Sequence, residues 1–330
     1  MEREKGRQNM KRTRVLFFVS MGMMVVFVAT ACGLPGLPGA STATLPPPTS
    51  TTAPQPSPVV IQHLVQPSSG VTAIANAHDN EESATFTDKS VRGGDEFRIN
   101  RFERPFTAPD MEYLPHIDIV GMSMTKDDTW YYVQIKLVGT NPATAELDGI
   151  YGVEFDLNID GKTELLILAK GPYGTDWTTD GVTAYADANG DIGGTSSRPD
   201  DIYAGNGYET IIFDSGKGED PDLVWARASK DNAVVEIAFK QEALRDFPTW
   251  MWNPLASANP LDPTKFYFND TFTIERAGSP VKGDNYPLKE LAGFDNTCRV
   301  PAGFEATGSE PMGCQVKGPQ EDLSFEGYPQ

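Results

Sequence analysis

Through the middle of the chain, hydrophobic residues recur at every second position. Tyr131, Val133, Ile135 and Leu137 alternate with Trp130, Tyr132, Gln134 and Lys136, and Val153, Phe155, Leu157 and Ile159 alternate with Glu154, Asp156, Asn158 and Asp160. Successive side chains leave a pleated backbone on opposite sides, so this period marks strands with one face buried. Runs at Ile117–Met124, Thr163–Ala169, Gly181–Ala186, Glu209–Phe213, Leu223–Ala228, Val234–Phe239 and Phe266–Ile274 predict further strands. Asp160-Gly161 and Asn189-Gly190 predict hairpin turns. A helical pattern is confined to Gln241–Asp246. Many short strands with little helix predict an all-β fold: an antiparallel, jelly-roll-like β-sandwich over residues 86–279.

The pattern changes at both ends. Arg3, Lys5, Arg7, Lys11, Arg12 and Arg14 precede a run from Val15 to Val28 that is apolar except at Ser20 and Gly22, and the run closes in Ala29-Thr30-Ala31-Cys32-Gly33. This order predicts a signal peptide over residues 1–31, too short to serve as a permanent membrane span. Small residues directly before a cysteine resemble the lipobox of bacterial lipoproteins, although Ala29 stands where leucine is commoner. The resemblance implies that Cys32 becomes the acylated N-terminus and that the protein is held at the cell envelope, outside the cytoplasm, by its lipid. An ordinary secretory signal with an incidental cysteine is the alternative. From Leu34 to Pro58 the chain is Pro, Thr, Ser, Ala, Gly, Leu and Gln without a charge, which favours an extended spacer; residues 32–85 are read as linker. Residues 280–330 are rich in Gly and Pro and read as an irregular segment. With Cys32 acylated, Cys298 and Cys314 remain to pair, and the loop they close is worth about 3 kcal/mol in the chain-entropy model.

Composition narrows the function. Lys and Arg number 27 against 46 Asp and Glu in 330 residues, a net charge of -19, which speaks against nucleic acid as a partner. Removing residues 1–31, with six basic and two acidic side chains, takes the charge to -23, so lipid head groups repel the body and attachment falls to the acyl chains. Three histidines and three cysteines leave no material for a His-rich metal site or a four-thiolate zinc site.

The run Tyr113-Leu114-Pro115-His116-Ile117-Asp118-Ile119-Val120, then Asp127-Asp128-Thr129-Trp130-Tyr131-Tyr132-Val133, Tyr151-Gly152-Val153-Glu154-Phe155-Asp156 and Val235-Glu236-Ile237-Ala238-Phe239 is similar in order to family-9 carbohydrate-binding modules and DOMON-like sandwiches. The resemblance covers roughly residues 93–275 and rests on short motifs. It implies a sandwich that binds sugars or, in some DOMON proteins, haem. The overall layout also resembles bacterial lipoproteins of no known activity.

Four constellations carry candidate chemistry. Asp187, Asn189 and Asp191 alternate in a Gly-rich loop, the kind of hard-oxygen donor set calcium takes. The EF-hand pattern is incomplete, because Ile192 holds its glycine position and Arg198 its position 12; a solvated hairpin turn explains the same residues. Asp156-Leu157-Asn158-Ile159-Asp160-Gly161 matches the first half of that pattern more closely. Its alternation reads as strand, which would hold neighbouring carboxylates about 7 Å apart, so a solvent-facing strand is preferred there. Trp177 between Asp176 and Asp180 has the composition of a sugar platform, an aromatic plane flanked by hydroxyl-binding acids, although a core tryptophan explains it too. Trp250 and Trp252 flank Met251 in an expected loop. His116, Met122 and Met124 share one strand parity and could not clasp a haem iron from opposite sides. No P-loop, H-E-x-x-H or G-x-S-x-G is present, so neither a nucleotide cofactor nor a catalytic residue is expected. The expected function is a non-catalytic, calcium-supported module binding an extracellular glycan. The alternatives are a module contacting an envelope protein and a carboxylate-pair glycoside hydrolase.

Overall fold

The computed structural model describes residues 61–68, 72–78, 82–85, 90–92, 102–108, 110–192, 206–245, 247–265 and 291–314. The chain divides after Ser57, and all of these residues belong to the Pro58–Gln330 unit. The signal segment, Cys32 and the predicted strand Phe266–Ile274 lie outside the described residues.

Fifteen strands are described: β1 (Thr72–His78), β2 (Glu82–Thr85), β3 (Ser90–Arg92), β4 (Glu103–Arg104), β5 (Ile119–Lys126), β6 (Trp130–Leu137), β7 (Ile150–Asp156), β8 (Leu165–Lys170), β9 (Val182–Ala186), β10 (Thr210–Asp214), β11 (Val224–Ser229), β12 (Val234–Lys240), β13 (Trp250–Ser257), β14 (Phe294–Asn296) and β15 (Val300–Ala302). They form an antiparallel β-sandwich. One sheet has the order β1-β5-β6-β12-β11. The other runs β10-β9-β8-β7-β13-β14-β4, with β15 also on β13, and β2 and β3 pair alone.

The alternation seen in the sequence builds the core directly. Tyr131, Val133, Ile135 and Leu137 of β6 and Val235, Ile237 and Phe239 of β12 meet Tyr151, Val153 and Phe155 of β7 and Trp250 and Trp252 of β13 in one cluster. Rings interlock across the two sheets, with Tyr131 5.3 Å from Trp250 and Phe155 5.1 Å from Phe239. A second apolar layer, including Phe102, Leu166, Leu168, Tyr208, Leu255 and Phe294, covers the outer face of the larger sheet.

Four expectations are corrected. Trp250 and Trp252 sit not in a loop but in β13, whose eight residues are all buried. Burial on both faces erases the alternation that reveals a strand. Pro254 is tolerated there because β15 pairs Trp250–Trp252 and β14 pairs Leu255–Ser257, so the proline falls in the gap between two ladders. The linker does not extend to residue 85, since β1 pairs with β5 along the sheet edge. The C-terminal segment is not wholly irregular, because β14 and β15 complete the larger sheet. The helical pattern after β12 is a single 3-10 turn, Gln241–Leu244. The expected disulfide is present, Cys298 to Cys314, with Cα atoms 5.0 Å apart.

Candidate functional site

Two acidic loops lie side by side at one end of the larger sheet. The first follows β7. The strand stops at Asp156, and the chain then curls through Ile159 and Gly161, both at positive φ (62° and 95°). The Asp156 carboxylate accepts the amides of Asp160 (3.1 Å) and Gly161 (2.9 Å), while Glu164 accepts the Leu157 amide and the Asn158 side chain, both at 2.7 Å. One oxygen from each of Asp156, Asp160 and Glu164 therefore comes within 4.8 Å of the others. The strand reading preferred for this stretch fails because the ladder ends before the alternation does. Burial pushes Glu164 up to about 7, opposed by the Leu157 amide and reinforced by the charges of Asp156 and Asp160.

In the second loop, buried Asp187 accepts the amides of Asn189 (3.1 Å), Gly190 (2.7 Å) and Ile192 (3.0 Å). Asn189 accepts the Asp191 amide at 3.1 Å and donates to the Asn206 side chain at 2.7 Å, and Asp191 accepts the Asn206 amide at 3.1 Å. Lys162, from the first loop, donates to the Gly190 carbonyl at 2.6 Å. Each of the three expected calcium ligands thus has a part in closing its own turn.

Behind the first loop lies a buried polar cluster that sequence reasoning missed. Arg299 donates to Asp156 at 2.8 Å with both side chains fully buried. Its backbone is clamped by the stapled segment, its amide donating to Met312 O and its carbonyl accepting the Cys314 amide. Glu154, alongside on β7, accepts the Tyr208 hydroxyl at 2.9 Å, and burial pushes its carboxyl up against the pull of Arg299. A separate buried trio, Glu103, Asp118 and Asp295, also brings carboxylate oxygens within 4.8 Å, with the Tyr113 hydroxyl on Asp118 and the Ile119 amide on Asp295, both at 2.6 Å.

The expected sugar platform is arranged differently from the expectation. Asp176 and Asp180 are exposed, but Trp177 is only 9% exposed. The Arg227 guanidinium sits 4.3 Å over its ring and its indole N–H donates to Ser68 O at 3.1 Å. Trp177 shares its cluster with Trp130, Tyr132 and Trp225 on the outer face of the five-stranded sheet.

The remaining feature is a cleft of about 680 Å³. Its walls include Phe106, Leu114 and Ala292 together with His116, Asn141, Asp148 and Asn259. His116 is 3% exposed, its Nε2 lies 3.8 Å from Asp148 Oδ1, and its Nδ1 finds no partner among the described residues. Burial lowers the His116 pKa despite the Asp148 carboxylate. Asp148 shows the opposite balance: burial raises it, but the Asn141 amide (2.9 and 3.1 Å), the Thr144 hydroxyl (2.8 Å) and His116 leave it below the ordinary carboxylate range. The lining thus pairs an imidazole pushed toward its neutral form with a carboxylate held toward its ionised form, and no Ser, Cys or Lys stands among its described residues. His116 was noticed in the sequence as part of the Tyr113–Val120 run and as a poor haem ligand, not as a cleft residue. Asp148 and Asn141 lie in a loop without periodicity, so no sequence signal joined them.

No protein-family model matches the chain, and no match is found among curated proteins or solved structures.

Proposed function

We propose that the chain is an extracytoplasmic, lipid-anchored module that holds a neutral, hydroxyl-rich ligand of the glycan class in the His116–Asp148 cleft without turning it over. The cleft carries this reading. Its volume of about 680 Å³ suits a small ligand. The polar lining of His116, Asn141, Asp148 and Asn259, set among Phe106, Leu114 and Ala292, favours a ligand with hydroxyls and an apolar face. With burial holding His116 toward its neutral form, a hydroxyl suits it better than an anion. Glycan-array and calorimetric titration of the purified protein test the reading. Binding is expected above pH 7, falling on acidification as His116 gains a proton, and His116→Phe should weaken it at least tenfold. Binding indifferent to His116→Phe, or no glycan bound, counts against it. Lipid anchoring rests on residues 15–32, and mass spectrometry of the membrane fraction tests it by the mass of an acylated N-terminal Cys32.

Calcium support is favoured by the convergence of Asp156, Asp160 and Glu164. One of their charges is already countered by Arg299, so a divalent ion would meet the remainder. Metal analysis and melting with calcium or chelator test this. A protein-contact role is favoured by Ile211, 63% exposed on the sheet-edge strand β10. Stoichiometric capture of an envelope protein, lost in Ile211→Lys, would support it.

A further inference from the structure

The outer face of the five-stranded sheet carries Trp130, Tyr132 and Trp225, with Trp177 beside them, in a cluster separate from the sandwich core. Residues 61–68 lie against this face. The His63 ring packs on Trp225 with centroids 4.6 Å apart. Ser68 is held at both ends of its backbone, its amide donating to the Tyr132 hydroxyl and its carbonyl accepting from Trp177, both at 3.1 Å. Between these points three successive residues converge on one carboxylate: Asp222 accepts His63 Nδ1 (2.7 Å), the Leu64 amide (2.7 Å) and the Val65 amide (2.9 Å).

Two features set this segment apart from the strands. It makes no ladder pairing, and it leaves most of its own side chains in solvent: Pro67 is its single buried residue, while Leu64 is 85% exposed and Val65 43%. With the segment in place, Asp222 is 1% and Trp225 4% exposed, so the sandwich side of the contact is covered by it. Segments held by a few polar contacts open at lower cost than packed strands.

We infer that Ile61–Ser68 is a latch seated reversibly in a peptide groove on the outer face of the five-stranded sheet, and that it opens while the sandwich stays folded. The groove recognises an extended peptide: one carboxylate takes two adjacent amides and an imidazole, an indole packs against that imidazole, and a phenol and a second indole take the last residue. Its occupant is this chain's own segment, which a covalent connection keeps at high local concentration. Opening uncovers Trp225, Trp177 and Tyr132. Where the chain is anchored through Cys32, opening also lengthens the reach of the sandwich by at most about 26 Å, eight residues at about 3.3 Å each. That consequence rests on the anchored reading; the latch does not.

Hydrogen exchange on the full chain tests it, with tryptophan emission as a second readout. Amides of 61–68 should exchange at least 100-fold faster than those of β6. Leu64→Pro removes one donor to Asp222 at a side chain that is 85% exposed, and His63→Ala removes the ring packed against Trp225. Each should speed exchange in 61–68 at least tenfold and shift tryptophan emission to the red, with β6 and β12 unchanged. Asp222→Ala should do the same, and the two latch-side variants decide the matter if it fails to fold. Protection of 61–68 equal to that of β6, or no change in Leu64→Pro, overturns the inference. The assay needs no lipid and no glycan, so its failure leaves the proposed function untouched.

Discussion

The loops Asp156–Glu164 and Asp187–Ile192 begin with the same spacing, two acids and an asparagine at alternate positions, yet they fold to different ends. In the first, an ion-paired Asp156 anchors a curl that gathers three carboxylates within 4.8 Å. In the second, Asp187 turns inward to cap three amides, and Asn189 and Asp191 are tied to Asn206. The difference lies in what surrounds the spacing. The first loop has Arg299 behind it and Glu164 three residues past its glycine. The second has neither, and it receives the Lys162 ammonium from its neighbour. In these two loops alternating acids close a tight turn, and it is the further acid just ahead of the following strand, Glu164, that makes the first a place where negative charge collects.

The largest test of that contrast removes the buried cation. Arg299→Met leaves Asp156 buried without its counter-charge, and urea denaturation should show a loss of about 3–5 kcal/mol. Asp156→Asn combined with Arg299→Met should recover much of it, because Asp156 then carries no charge; the part not recovered reports what Glu154 loses with Arg299. Equal losses in single and double variants would mean that Arg299 acts by packing alone. The staple comes next. Cys298→Ser with Cys314→Ser should cost about 3 kcal/mol from loop closure, and somewhat less in an Arg299→Met background, since the stapled segment is what fixes the Arg299 backbone. Full additivity would separate the disulfide from the first loop.

Calcium is the sharpest comparison. At a hundredfold excess over its dissociation constant, an ion bound only to the folded state stabilises by about 2.7 kcal/mol. Melting should rise with calcium in the wild type and in Asp191→Asn, and should not respond in Glu164→Gln. The reverse pattern would return the ion to Asp187, Asn189 and Asp191 and end the distinction drawn between the loops.

The half-buried strands were legible in advance. β8, read from its continuous apolar run although both its faces are buried, lies within two residues of its predicted range, and β6, β9, β11 and β12 do too, because polar positions survive on one face. β13 was not legible, for the opposite reason. The sites divide similarly. Spacing located both acidic loops, but which one gathers its carboxylates depends on where β7 ends and on Arg299, 143 residues away. Trp177 was rightly noticed as an aromatic beside acids, yet its ring is met by a segment 109 residues earlier in the chain. The His116–Asp148 cleft is assembled from loops with no pattern at all. Local chemistry is visible in order along the chain, whereas the partners that assign it a role arrive by packing.

The smallest effect reads the backbone of the two loops. Each passes through left-handed conformation, the first at Ile159 (φ 62°) and the second at Gly190 (φ 70°). A β-branched residue is poorly suited to that region, while asparagine and glycine are tolerated. Ile159→Asn should therefore stabilise by about 0.5–1 kcal/mol, reduced by whatever contact the half-buried isoleucine makes. Gly190→Ala should destabilise by about 1 kcal/mol. A Cβ at Gly190 meets nothing within 4 Å, so that loss would report conformation and not a clash. Opposite signs in thermal denaturation would place backbone strain in the first loop and none in the second. If Ile159→Asn instead destabilises by as much as Gly190→Ala, the isoleucine side chain holds the first curl in place, and its carboxylates are gathered by packing as much as by hydrogen bonds.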